Sequence, residues 1–215
     1  MLITGDINQL RIANRKSQIG THFEDQARRE GFSFIAGLDE VGRGCLAGSV
    51  VAAACILDPL KPLPEGLDDS KKLSADQREI IAEELKETVL AYSIAQIEAE
   101  EIDLINILEA TKKAMCLAVG YLKLQADYLL IDALQLKQIS LPQKAIIKGD
   151  AISASIAAAS ILAKTYRDNL MREYDNVYPQ YGFASHVGYG TRVHLEALRL
   201  HGACPLHRRT FRGVI

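Results

Sequence analysis

Residues 151–174 read AISASIAAASILAKTYRDNLMREY, and no other segment constrains the fold as strongly. Its length and its Ala, Leu and Lys content favour a helix. The first half, to Ala163, is almost wholly Ala, Ser and Ile. Side chains that small let a helix backbone lie close to a flat surface, so the segment reads as a central helix resting on a sheet. Strands for that sheet lie upstream. FIAGLDEV (34–41) and SVVAAACIL (49–57) are rich in β-branched and small apolar residues, and the glycines of GRGCLAG between them predict a hairpin. AYSIAQIEA (91–99) alternates as a third strand. DYLLIDAL (127–134) and KAIIKGD (144–150) supply two more.

The remaining segments read as helices and loops. Thr21 and Glu24 have capping-box spacing ahead of a short helix that stops at Gly31, and Ser74 and Gln77 repeat the pattern before an amphipathic helix. EIDLINILEATKKAMCLAVGYLKL (101–124) reads as helical, in one piece or two, and RVHLEALRLHG (192–202) as a further helix. KPLPEGLDD (61–69) and the Gly- and Tyr-rich YPQYGFASHVGYGT (178–191) read as loops. Strands pair locally first and alternate with helices later. That order predicts an α/β domain with a mixed sheet and a helical C-terminal cap from about residue 165. The 215 residues suit one compact domain. No stretch is apolar for eighteen residues, so no membrane span is expected. The N-terminus shows no signal-peptide core. Cys45, Cys55, Cys116 and Cys204 lack metal-site spacing and read as free thiols in a reducing cytoplasm.

Net charge is −2, which alone argues against a nucleic-acid binder. The distribution argues the other way: residues 164–215 carry 8 basic and 4 acidic side chains. That fits either a basic face hidden in an acidic total or a mixed solvated surface.

Acidic residues end three of the strands. Asp39 and Glu40 close the first, Asp132 closes DYLLID, and Asp150 closes KAIIKGD and opens the long helix. A carboxylate beside a buried strand is costly unless compensated. If the strand ends converge, four carboxylates meet and require a cation between them. An all-oxygen donor set suits a hard divalent ion such as Mg²⁺. Taken singly, Asp150 also reads as a helix N-cap and Asp132 as a turn former. Neighbouring side chains on a strand point to opposite faces, so Asp39 and Glu40 share a site only if the chain bends or bulges; Gly42 and Gly44 permit that. The glycines do not form a dinucleotide fingerprint, because their spacing is wrong and a strand follows them. They read instead as a place where a polar ligand approaches the backbone.

AGLDEVGRGCLAGSVVAAACIL, LDDSKKLS, INILEATKKAM, LLIDAL, KGDAISASIAAASILAKTYRD, YGFASHVGYGT and HRRTF together resemble the successive blocks of type 2 ribonuclease H (ribonuclease HII), in family order from about residue 34 to residue 211. The resemblance implies a ribonuclease H-like fold: a central five-stranded mixed sheet flanked by helices, with a C-terminal helical cap. Residues 34–215 then form the catalytic domain and residues 1–33 an N-terminal extension with a short helix. It implies an endonuclease that hydrolyses the RNA strand of RNA–DNA hybrids and nicks duplex DNA 5′ to embedded ribonucleotides, leaving 3′-hydroxyl and 5′-phosphate ends. The cofactor implied is Mg²⁺ or Mn²⁺, two ions held by Asp39, Glu40, Asp132 and Asp150. The resemblance places the substrate-sensing motif on Gly42, Arg43 and Gly44, and the junction-sensing tyrosine on Tyr189 rather than Tyr181. Lys71, Lys72, Lys148 and Lys164 are candidate phosphate contacts, and Arg208, Arg209 and Arg212 fit a basic cap. His186 and His207 are read as phosphate contacts or loop caps. Family members commonly carry proline where Cys45 and Ser49 stand, and glycine where Ala133 stands, but no ligand is lost. Two rival readings are type 3 ribonuclease H, which usually carries a large N-terminal substrate-binding domain, and a non-catalytic nucleic-acid-binding module of the same fold.

Overall fold

The computed structural model describes residues 19–214. The strands are β1 (Ile35–Val41), β2 (Val50–Ile56), β3 (Ala91–Ile97), β4 (Tyr128–Asp132) and β5 (Gln143–Ile146). They form one sheet in the order β3-β2-β1-β4-β5. β1–β2 and β2–β3 pair antiparallel, whereas β1–β4 and β4–β5 pair parallel, so the sheet is mixed as expected. The helices are α1 (His22–Arg29), α2 (Ala75–Thr88), α3 (Ala99–Ile105), α4 (Ile107–Tyr121), α5 (Ala154–Val177), α6 (Phe183–His186) and α7 (Arg192–His201).

Alternation along the strands sorts side chains between two faces. Ala36, Leu38, Ala52, Ala54, Leu129 and Ile131 join Ala114 and Met115 of α4 in one core. Val51, Ala53 and Cys55 join α2 and the Ala-rich half of α5 in the other. Leu38, Leu129 and Ile131 are wholly buried, each worth about 1.5–3 kcal/mol of transfer free energy. Small residues bring α5 very close to β1: a Cβ on Gly37 would lie 2.1 Å from the Ser155 carbonyl carbon. This close approach is what the Ala/Ser segment predicts.

One open alternative is decided and three local readings change. The helical region after residue 98 is two helices, broken at Asn106, which adopts φ 67° and whose Oδ1 accepts from Leu108 N and Glu109 N to start α4. The loop over 178–191 contains a 3₁₀ turn (Pro179–Tyr181) and the single-turn α6. The long helix begins at Ala154 with Ser153 as N-cap, so Asp150 is not its cap but lies in a preceding 3₁₀ turn (Gly149–Ala151). Finally, Ser74 and Gln77 form their capping box, but Thr21 and Glu24 do not. Thr21 Oγ1 donates to Asp25, and Glu24 turns into the core toward α5. Most of the N-terminal extension, residues 1–18, lies outside the described residues.

Candidate active site

β1 outlasts β4. Their parallel ladder ends at Leu38–Ile131, while β1 stays paired to β2 through Val41–Val51. Asp39 and Glu40 therefore occupy a strand end with one edge open. Asp39 shares the α5 face with Gly37, and Glu40 shares the α4 face with Leu38. Both side chains nevertheless line one cleft of about 220 Å³, together with Asp132. The register with β2 is unbroken, so no bulge against β2 brings these opposite-face residues together.

Asp132, the last residue of β4, accepts from Gly149 N at 2.7 Å. Asp150 lies in the turn beyond it and does not itself line the cleft. Its Oδ2 is 2.7 Å from Lys71 Nζ, and Lys71 does line the cleft. Arg43 Nη1 is 3.2 Å from Glu40 Oε1. Gly42, Gly44, Lys164 and Tyr189 complete the wall, with Tyr189 43% exposed. Lys164 is also paired with Asp168 at 2.6 Å. Lys72 pairs with Asp68, and Lys148 is exposed in a left-handed turn; neither lines the cleft. Tyr181 is buried, stacked on Phe183, with its hydroxyl donating to Gly202 O.

The electrostatics are those of crowded anions. Burial, and then the Glu40 carboxylate, hold Asp39 well above the usual carboxylate range, against the opposing hydrogen bond from Ser160. Burial raises Glu40 despite Arg43. Burial also raises Asp132, with Gly149 N–H opposing and Asp150 adding to the rise. Glu40 Oε2 is buried without a hydrogen-bond partner. Among the described residues no three His, Cys, Asp or Glu side chains are arranged to hold a metal ion as they stand. Lys71 and Arg43 supply the positive charge instead, on Asp150 and Glu40. An orphaned carboxylate oxygen, an all-oxygen donor set and raised proton affinities fit a hard divalent cation.

Two buried arginines were not legible in the sequence. Arg167 donates to the carbonyls of Ser49, Ala47 and Val187, and Arg208 to those of Gly48 and Arg43. Arg167 ties the 43–49 loop to the turn carrying Tyr189, and Arg208 spans that loop from Arg43 to Gly48. Arg208 is thus buried beneath the loop, while Arg209 and Arg212 remain exposed. Gly42, at φ 89°, has no room for a side chain, since a Cβ would lie 2.2 Å from Arg167 Nε. Gly44 borders open space. Ser70 and Ser160, 3.0 Å apart, also line the cleft; alternating Ala and Ser in α5 gave Ser160 no contrast. His186 and His207 are buried loop caps, bonded to Tyr181 O and Cys204 N. Burial and the facing His194 push His207 down to about 4, so it offers no cation to a phosphate. Ala133 adopts φ 49°, so its methyl group carries backbone strain where a glycine would not.

Residues 36–214 match the sequence model of the family "Ribonuclease HII". The chain belongs to the ribonuclease HII family. It is 56% identical over 191 residues to the ribonuclease HII of Desulfitobacterium hafniense, covering 89% of this chain and 73% of the relative. Against that of Chlamydia abortus it is 53% identical over 195 residues, covering 90% and 91%. Ribonuclease H2 from Pyrococcus horikoshii superposes with TM-score 0.71 at 26% identity, covering 85% of this chain and 95% of that one. The chain is therefore a type 2 ribonuclease H, an endoribonuclease with the ribonuclease H-like fold, and the type 3 alternative falls away.

Proposed function

We propose that this ribonuclease HII is a divalent-metal-dependent endonuclease that cuts the RNA strand of RNA–DNA hybrids and nicks duplex DNA 5′ to an embedded ribonucleotide, leaving 3′-hydroxyl and 5′-phosphate ends. The observation that carries this reading is one cleft lined together by Asp39, Glu40 and Asp132 and by Gly42–Gly44 and Tyr189. Asp39, Glu40, Asp132 and Asp150 would hold Mg²⁺ or Mn²⁺. When bound, a pair of such ions supplies the positive charge that activates water and stabilises the leaving oxygen. The protein's own groups do the rest. The backbone of Gly42 and Gly44 faces the cleft, and the open space beside Gly44 lets a ribose come close enough for its 2′-hydroxyl to be sensed. Arg43 orients Glu40, and Lys71 and Lys164 meet phosphate from the cleft wall. Lys72 and Lys148 are further phosphate contacts on the flanking surface. The four thiols, none in a disulfide, suit a cytoplasmic setting.

Tyr189 places its exposed ring on the sugar next to the ribose and tests for the ribonucleotide–deoxyribonucleotide junction. Tyr189→Ala is expected to slow nicking of a duplex with a single ribonucleotide by about 10²-fold, in line with the loss of one positioning contact. Cleavage within a long hybrid should fall far less. Equal losses on both substrates, or an unchanged junction rate, would remove the role given to Tyr189.

A further inference from the structure

Glu24 lies upstream of the residues that match the family model. It is 1% exposed, and a buried carboxylate needs compensation. Oε1 accepts from Ser153 Oγ at 2.7 Å, Ser155 N at 2.8 Å and Ser155 Oγ at 2.6 Å. Ser155 N is one of the first-turn donors of α5 that have no partner within the helix. The helix dipole at that end also favours a negative charge. Glu24 thus caps α5 across 131 residues of sequence instead of its own helix.

Backbone bonds reinforce the junction. Ala154 N donates to Gly20 O at 3.0 Å, and Gly20 N to Ile152 O at 3.4 Å. The turn between Lys148 and Ser153, which carries Asp150, is therefore gripped at both ends. Asp132 holds Gly149 N on the cleft side, and Glu24 with Gly20 holds Ile152–Ser155 on the other. Only Ala151 and Ile152 separate Asp150 from Ser153, too little chain to absorb a shift in the helix start without moving the carboxylate.

We propose that Glu24 is a positioning residue of the active site: by pinning the start of α5 it fixes the turn that presents Asp150 to the metal. The proposal rests on the reading of Asp150 as a metal-binding carboxylate. It makes the N-terminal helix part of the catalytic apparatus and not an appendage.

The test titrates Mn²⁺ alone into the metal-free full chain, followed by electron paramagnetic resonance, for wild type, Glu24→Ala, Glu24→Gln and Asp150→Asn. Glu24→Ala is expected to bind Mn²⁺ about 10-fold more weakly, the loss typical when a group orienting a ligand is removed. It should need correspondingly more Mg²⁺ for half-maximal cleavage, with kcat near wild type at saturating metal. Glu24→Gln keeps an acceptor for Ser155 and should recover most of the affinity. A folded Glu24→Ala protein with a lowered melting temperature but wild-type Mn²⁺ affinity overturns the proposal, leaving Glu24 a merely structural cap. If Glu24→Ala does not fold, Glu24→Asp replaces it, which keeps the charge but withdraws the carboxylate from Ser153 and Ser155: weaker Mn²⁺ binding supports the proposal and unchanged binding overturns it. Unchanged Mn²⁺ affinity in Asp150→Asn sinks the metal reading itself, and the proposal with it, whatever Glu24 does.

Discussion

Asp39→Asn is expected to abolish cleavage and, at pH 7, to raise the melting temperature of the metal-free protein. If Asp39 belongs to the proposed metal-binding set, losing its charge should cost at least about 10²–10³-fold in rate, the scale seen when a single electrostatic group is removed from an active site. The stability gain follows from the raised proton affinity of Asp39, caused by burial and then by Glu40. In the unfolded chain an Asp ionises near pH 4. Above that pH the folded protein binds more protons at this site than the unfolded one, so stability falls as pH rises. The substituted amide carries no charge, and its carbonyl oxygen can still accept from Glu40 N as Asp39 Oδ1 does at 2.8 Å. Melting temperatures of the two proteins in chelator should therefore coincide near pH 4 and separate toward pH 7, with the Asp39→Asn variant the higher. A variant that melts below wild type at pH 7 contradicts the crowded-anion account.

Gly37→Ala carries the largest expected effect on stability. The added Cβ meets backbone atoms of α5, at 2.1 Å from Ser155 C, 2.3 Å from Ser155 O and 2.4 Å from Ile156 N. Backbone cannot rotate away as a side chain does, so the helix or β1 must shift. The cost lies at the top of the overpacking range, about 3 kcal/mol or more. For a chain of this size that is roughly 6–12 °C in melting temperature, at about 2–4 °C per kcal/mol. Gly120 in α4 is the control: a Cβ there meets nothing within 4 Å, and Gly120→Ala should be neutral or stabilising by up to about 1 kcal/mol. Thermal melts of both variants decide the matter. A Gly37→Ala protein melting within about 2 °C of wild type would show that the sheet and α5 are not locked together.

Much of this architecture was legible because it rests on local chemistry. β-Branched and small apolar runs marked the five strands, and the Ala/Ser run in α5 marked the close approach now seen at Gly37. Asp39, Glu40 and Asp132 were legible as strand-ending acids as well, since charge at the end of an apolar run is conspicuous, whereas Asp150 lies past β5 in a 3₁₀ turn. What the sequence hid depends on pairings between distant segments. The meeting of Asp39 and Glu40 in one cleft depends on how the strands are placed together at that end of the sheet, which no local pattern encodes. Arg208 read as part of a basic cap and Arg167 drew no reading at all, because most of their carbonyl partners lie more than a hundred residues away. Glu24 misled for a related reason: its spacing from Thr21 matched a local cap, but the start of α5 offered three donors at once.

The central claim is tested most directly by incubating the metal-free protein with duplex DNA containing one ribonucleotide, in chelator and after adding Mg²⁺ or Mn²⁺. The account predicts no product in chelator and, with either ion, a single nick 5′ to the ribonucleotide with 3′-hydroxyl and 5′-phosphate ends. Cleavage that persists in chelator, or an intact duplex with both ions present, contradicts it.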